Sequence, residues 1–169
     1  MQLDIRLMGD PVLRSEATPI DTIDAATTHL IADMLETMDA NQGVGLAANQ
    51  VGVLKRVFVY DCSTEEETLR GALINPVWEN IGEETQIGPE GCLSIPGIME
   101  DTERYNHVRV RGLNEAGEPV ELEATGLFAR CIQHETDHLD GVLFLKRLSR
   151  ENRRHAMEQI RNSEWFNQG

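Results

Sequence analysis

The order of patterns along the 169 residues predicts an α+β fold with a mostly antiparallel sheet. Three observations carry that prediction. One amphipathic stretch comes early and two come late, and the strand-like segments between them are not separated by regular crossover helices. Residues 107–113 and 120–124 alternate apolar with polar around Asn114-Glu115-Ala116-Gly117-Glu118, a hairpin signal that makes neighbouring strands antiparallel. No internal repeat, low-complexity tract or linker divides the chain, whose length suits a single domain over residues 1–169.

Residues 1–20 read as an extended arm with turn signals at Gly9-Asp10-Pro11 and at Pro19. Ile23, Ala26, Leu30, Met34, Leu35 and Met38 recur with helical period, so a first helix is expected over 22–40, capped by Asp21 or Thr22. Residues 41–52 form a glycine-punctuated loop. Residues 56–61 alternate around Val57 and Val59 as a strand does. Residues 73–76 read as a short strand ended by Pro76, and 77–88 as another pair of short strands. Pro96-Gly97 reads as a turn that ends the segment around Cys92. After the hairpin a helix is expected over 125–140 with Gly141 as its C′ residue, then a last helix over 149–166.

An apolar fraction of 40% and a charged fraction of 26% are ordinary for a globular protein. No apolar stretch approaches the ~20 residues of a membrane span, and the first residues lack the charged-then-apolar pattern of a signal peptide. The three cysteines, Cys62, Cys92 and Cys131, are odd in number and widely spaced, which argues against a disulfide framework and for a reducing cytoplasm. A net charge of −14 repels phosphate backbones and speaks against DNA binding. The charge is uneven, however. Residues 146–161 hold Lys146, Arg147, Arg150, Arg153, Arg154 and Arg161 against Glu151 and Glu158, a local charge of +4 that leaves −18 on the rest.

The strongest chemical signal is Gln133-His134-Glu135-Thr136-Asp137-His138-Leu139-Asp140-Gly141. Histidines four apart on a helix share a face, so both imidazoles can hold one metal ion, with Glu135 beside them as a proton carrier. Leu127, Cys131, His134 and His138 fall on one stripe and Arg130, Gln133 and Asp137 on the other side, so the histidines are expected to point into the core. Two histidines leave the site short of a ligand. A third histidine at position 144 is excluded, since that residue is Phe144. Cys131 lies seven residues from His138, a rise of about 10 Å that one ion cannot bridge, and reads as core. Glu158 would complete an endopeptidase site, the alternative reading, but sits among Arg153, Arg154 and His155 where salt pairing is its natural fate. Cys92 remains, in a glycine-flanked turn. One thiolate with two imidazoles is a known catalytic zinc-type set with its fourth position open.

Gly43-Val44-Gly45-Leu46-Ala47-Ala48-Asn49-Gln50, Glu90-Gly91-Cys92-Leu93-Ser94 and the His134 motif together resemble the three signature motifs of the peptide deformylases, in order and with suitable spacing. Asp10-Pro11-Val12-Leu13-Arg14 resembles that family's N-terminal arm. The resemblance implies antiparallel strands wrapped around a central metal-binding helix. It also implies hydrolysis of the N-formyl group from formyl-methionyl nascent polypeptides. Cys92, His134 and His138 would hold one divalent metal, typically ferrous iron, with zinc, nickel or cobalt able to take its place. Glu135 would be the acid–base, and the Gln50 amide and Leu93 N–H the oxyanion donors. Gly43 and Gly45 would leave backbone free to pair with the peptide, while Val44, Leu127, Cys131 and the segment at Glu90 would wall the methionine pocket. Two residues depart from the family pattern: Met99 stands where many members carry arginine, and Arg130 where an apolar residue is common. A nascent-chain substrate further suggests that the basic C-terminal helix contacts the ribosome.

Overall fold

A computed structural model of the chain describes residues 1–167, so the last two residues of the expected domain lie outside the described residues. Pro11–Arg14 makes a short 3-10 turn, with the Asp10 carboxylate accepting from the Val12 N–H. Helix α1 (Ala25–Ala40) begins later than the apolar period suggests, because Asp24 is its cap: its carboxylate accepts from the Thr27 N–H. The glycine-punctuated loop contains strand β1 (Gly45–Ala47) and a 3-10 turn (Ala48–Val51) carrying Gln50. Strand β2 (Val57–Asp61) pairs antiparallel with β1 and with β3 (Arg70–Asn80).

Pro76 does not end β3. A bulge between Ile74 and Val77 takes the proline out of the ladder. Asn75 adopts a φ of 52° there, and its amide bonds both the N–H and the carbonyl of Ile20. The short strand expected over 73–76 therefore runs on into the next. Strand β4 (Thr85–Cys92) pairs with β5 (Ile95–Tyr105). The chain reverses at Leu93-Ser94, and Pro96-Gly97 lies inside β5 rather than in a turn. Strands β6 (His107–Leu113) and β7 (Pro119–Thr125) form the expected hairpin. Helix α2 (Gly126–Leu139) follows, and then α3 (Arg150–Arg161), capped by Ser149. The expected 149–166 helix breaks at Asn162 and Ser163, and a short α4 (Glu164–Asn167) turns Trp165 onto β5, where its indole N–H donates to the Pro96 carbonyl at 3.0 Å.

Strands β1-β2-β3-β6-β7 make one five-stranded antiparallel sheet, and β4-β5 a separate two-stranded one. Strand β2 shows why the larger sheet is covered on both faces. Val57 and Val59 pack toward α1 with Met34 and Met38, while Phe58 and Tyr60 pack toward α2 with Phe128 and Ile132. Helix α2 is thus enclosed between the large sheet and the β4–β5 hairpin, and twelve of its fourteen residues are buried, including the whole run from Phe128 to Leu139. The face read as opposite the core is equally enclosed: Arg130, Gln133 and Asp137 are buried, and Leu127 is the exposed one. At its C-terminus Gly141 takes a φ of 76° as the expected C′ residue, and the Arg56 guanidinium donates to the Leu139 carbonyl at 3.1 Å and to Asp140 at 2.8 Å. A third apolar cluster, with Leu13, Ile95, Ile98, Phe144, Ala156 and Ile160, holds α3 and the hairpin together. Among the described residues no helix is long and apolar enough to cross a membrane.

Candidate metal centre and substrate pocket

Helix α2 and strand β4 bring three metal-binding atoms together. Donor atoms of Cys92, His134 and His138 all lie within 4.8 Å of one another. The His138 Nε2 is 3.3 Å from the Cys92 sulfur and 3.2 Å from the His134 Nε2. On His134 the Nδ1 faces Glu90 Oε1 at 2.5 Å, which makes Nδ1 the protonated nitrogen and turns the Nε2 lone pair into the cluster. His138 Nδ1 is buried without a hydrogen-bond partner among the described residues, and its Nε2 is the nitrogen that faces the other donors. Three acceptors converging at these separations fit a divalent cation better than any hydrogen-bond assignment. Glu158 is exposed on α3 and is no part of this cluster, which removes the endopeptidase ligand set.

The electrostatics follow from burial. Desolvation alone would push the His134 imidazole down, but Glu135, Cys92 and Glu90 outweigh it and raise it well above its ordinary range. Burial first, and then the closeness of the His134 ring, push His138 well below. Burial pushes the Glu135 carboxyl up to about 7. Its Oε2 stands 4.0 Å from His134 Nε2, and its Oε1 is buried with no hydrogen-bond partner among the described residues. Such a carboxyl, beside the donor cluster and free at one oxygen, can take up and return a proton.

The hydrogen bonds of Gln50 fix which end of its amide faces the cluster. Its Oε1 accepts from the Ala47 N–H at 3.0 Å, so its amide nitrogen is the end that faces Ser94 Oγ at 3.1 Å and the Cys92 sulfur at 3.5 Å. Leu93 sits in the β4–β5 turn beside it. A pocket of about 650 Å³ opens over the cluster and is bounded by Gly43, Val44, Gly45, Leu127 and Cys131, with Gln50, Leu93 and Glu135 also on its wall. Val44 and Leu127 are exposed at its mouth, as is Met99. Gly45 has a tighter reason to be glycine than peptide pairing. A Cβ there would lie 2.6 Å from Glu135 Oε2 and 2.8 Å from the Cys131 sulfur. The Cys131 thiol itself donates to the Val44 carbonyl, which leaves it in the core at the edge of the pocket.

Glu90 borders the pocket, but its two oxygens are committed elsewhere. Oε1 accepts from Arg104 at 2.6 Å as well as facing His134, and Oε2 accepts from Arg130 at 2.7 Å and from Arg104 at 3.1 Å. Burial pushes its carboxyl up, but His134 and Arg104 outweigh it and hold it well below the ordinary range. Glu90 orients the His134 ring rather than presenting a surface to a ligand. Arg104 also donates to Asp137 at 2.8 Å, and Arg147 closes on Asp137 with two bonds of 2.9 and 3.0 Å. The sequence pattern gives no sign of Arg104, because the buried positions of β5 mix Ile95 and Ile98 with Thr102 and Arg104.

The comparisons agree with one another. A family model described as polypeptide deformylase matches residues 2–154. The chain is 58% identical over 164 residues, 97% of both chains, to peptide deformylase 1 of Corynebacterium efficiens, and equally so to peptide deformylase 1 of Corynebacterium glutamicum. It superposes on the crystal structure of peptide deformylase from Ehrlichia chaffeensis with a TM-score of 0.88 at 37% identity, covering 96% of each chain. The actinonin complex of the Ehrlichia enzyme gives a TM-score of 0.89 at 39% identity, covering 96% of this chain and 98% of the other.

Proposed function

The chain belongs to the polypeptide deformylase family, and on that premise we propose how its residues remove the N-formyl group from the formyl-methionine of newly synthesised polypeptides as formate. The observation that carries this reading is the convergence of one thiol and two imidazoles beside a carboxyl with an unpartnered oxygen, at the floor of one pocket. A divalent ion held by Cys92, His134 and His138 would supply Lewis acidity, lowering the pKa of a water and polarising the formyl oxygen. Glu135 takes the proton of the attacking water and returns it to the amine nitrogen as the formyl C–N bond breaks. The Gln50 amide and the Leu93 N–H donate to the oxyanion that develops on the formyl oxygen. The Gly43–Gly45 backbone takes the peptide as an added strand, and Val44, Leu127 and Cys131 enclose the methionine side chain. Glu90 fixes His134 from behind.

Ferrous iron is our assignment for the native ion. One thiolate and two imidazoles are borderline ligands that also suit zinc, nickel or cobalt. The chain acts as one catalytic domain, in the cytoplasm, where formylated chains are made and three unpaired thiols stay reduced. We place a ribosome contact on α3 through Arg150, Arg153, Arg154 and Arg161, with Lys146 alongside, all exposed. Arg147 drops out of that patch, since its guanidinium is spent on Asp137.

The ligand assignment is tested by metal content. Cys92→Ala, His134→Ala and His138→Ala should each abolish stoichiometric metal. Cys131→Ser should retain it, with a modest loss of stability from the altered core. Loss of metal in Cys131→Ser together with its retention in Cys92→Ala would reverse the assignment.

A further inference from the structure

The metal donors come from two elements that no short loop connects: Cys92 ends β4, and both histidines ride on α2. Their separation is therefore set by whatever fastens the β4–β5 hairpin to the helix. Arg130, on α2 one turn before His134, is buried to 6% exposure and spans that junction. Its Nη1 donates to Glu90 Oε2 on β4 at 2.7 Å and to the Thr102 carbonyl on β5 at 2.9 Å. Its Nη2 donates to Gln86 Oε1 on β4 at 3.3 Å. One planar fork thus grips both strands of the hairpin from the helix that carries the histidines.

We propose that Arg130 is a positioning residue for the metal centre: by bridging Glu90, Gln86 and the Thr102 carbonyl, it sets the Cys92 sulfur against the two imidazoles. The inference rests on the metal-site reading above. Glu90 lies two residues before Cys92 on the same strand, so a shift of one carries the other. The role is separable from folding. Without Arg130, Glu90 keeps Arg104 and His134, and the hairpin keeps the Arg104–Asp137 pair, the Gln133 amide on the Tyr105 backbone and the Gln86 amide on the Gly126 carbonyl. Those contacts hold the two elements together; the Arg130 fork fixes how they sit.

Cobalt(II) is the probe, since its thiolate charge-transfer band reports Cys92 ligation directly. Arg130→Met, which keeps the stem and loses the fork, should bind cobalt ~10–100-fold more weakly in competition with a chelator, as the loss of a supporting partner does. Its charge-transfer band should weaken, and the rise in Tm on adding cobalt should shrink. Arg130→Lys, which restores the charge without the fork, should not rescue affinity. The proposal is overturned if Arg130→Met binds cobalt as the parent does and its Tm falls equally with and without cobalt, or if lysine restores full affinity. Should the methionine variant fail to fold, the lysine variant decides alone by the same readouts. Failure of the parent chain itself to bind cobalt would overturn the metal-site reading, and this inference with it.

Discussion

Glu90 faces His134, Arg104 and Arg130 at once, and that arrangement decides which nitrogen of His134 meets the other donors. His134, His138 and Cys92 were legible in the sequence because helical spacing and a short ligand set constrain them strongly. The orientation role of Glu90 was not, since two of its partners are arginines far away in sequence and one lies on a strand that the pattern hides. Tyr60 shows burial acting on a group outside the site. Its hydroxyl is pushed up to about 12, by desolvation first and by the Glu115 carboxylate next. In the unfolded chain a tyrosine ionises near ~10. The folded protein therefore keeps a proton that the unfolded chain releases, so stability should fall as pH rises from about 10 through about 12. Ultraviolet titration of the folded protein should show a late tyrosine step that Tyr60→Phe removes, along with part of the alkaline fall in Tm. Completion of all tyrosine ionisation near ~pH 10 with the fold intact contradicts this.

Apolar period makes an element legible in the sequence, whereas a buried polar side leaves no such pattern. Strand β5 is the clearest case. Its inward residues include Ile95 and Ile98, but then Thr102, whose carbonyl accepts from Arg130, and Arg104, which is buried because Glu90 and Asp137 receive its guanidinium. The polar side of α2 was misjudged for the same reason, as Arg130, Gln133 and Asp137 face polar groups of the hairpin and of Arg147. Pro76 misled in another way: a bulge lets a strand carry a proline through. The contact of β1 with α2 yields a prediction at this scale. Gly45→Ala must displace Glu135, whose Oε2 would stand 2.6 Å from the new methyl group. Metal content should be unchanged, because Cys92, His134 and His138 are untouched, while kcat should fall by the ~10²-fold or more that a displaced acid–base group costs. The overpacking should also cost about 1–3 kcal/mol of stability. Full turnover in Gly45→Ala would mean that Glu135 works from another position.

For the whole molecule the two facts that matter are the division of charge and the pocket over the donor cluster. In the ribosome contact proposed above, a body at −18 with +4 on residues 146–161 would meet a polyanion in one orientation only. Replacing Arg150, Arg153 and Arg154 by Ala should weaken co-sedimentation with ribosomes and flatten its salt dependence, while turnover of a short free peptide stays as in the parent. Unchanged pelleting would remove α3 as the contact. The central claim, that the cluster and Glu135 together hydrolyse the formyl amide, is tested most directly by formate release from a formyl-Met-Ala peptide, using protein purified without oxygen. The parent should release one formate for each free amine formed, and a chelator should abolish this. Glu135→Gln, with its metal intact, should be slower by at least ~10²–10⁴-fold. Near-normal formate release by Glu135→Gln, or cleavage of the Met-Ala bond with no formate from the parent, would contradict the account.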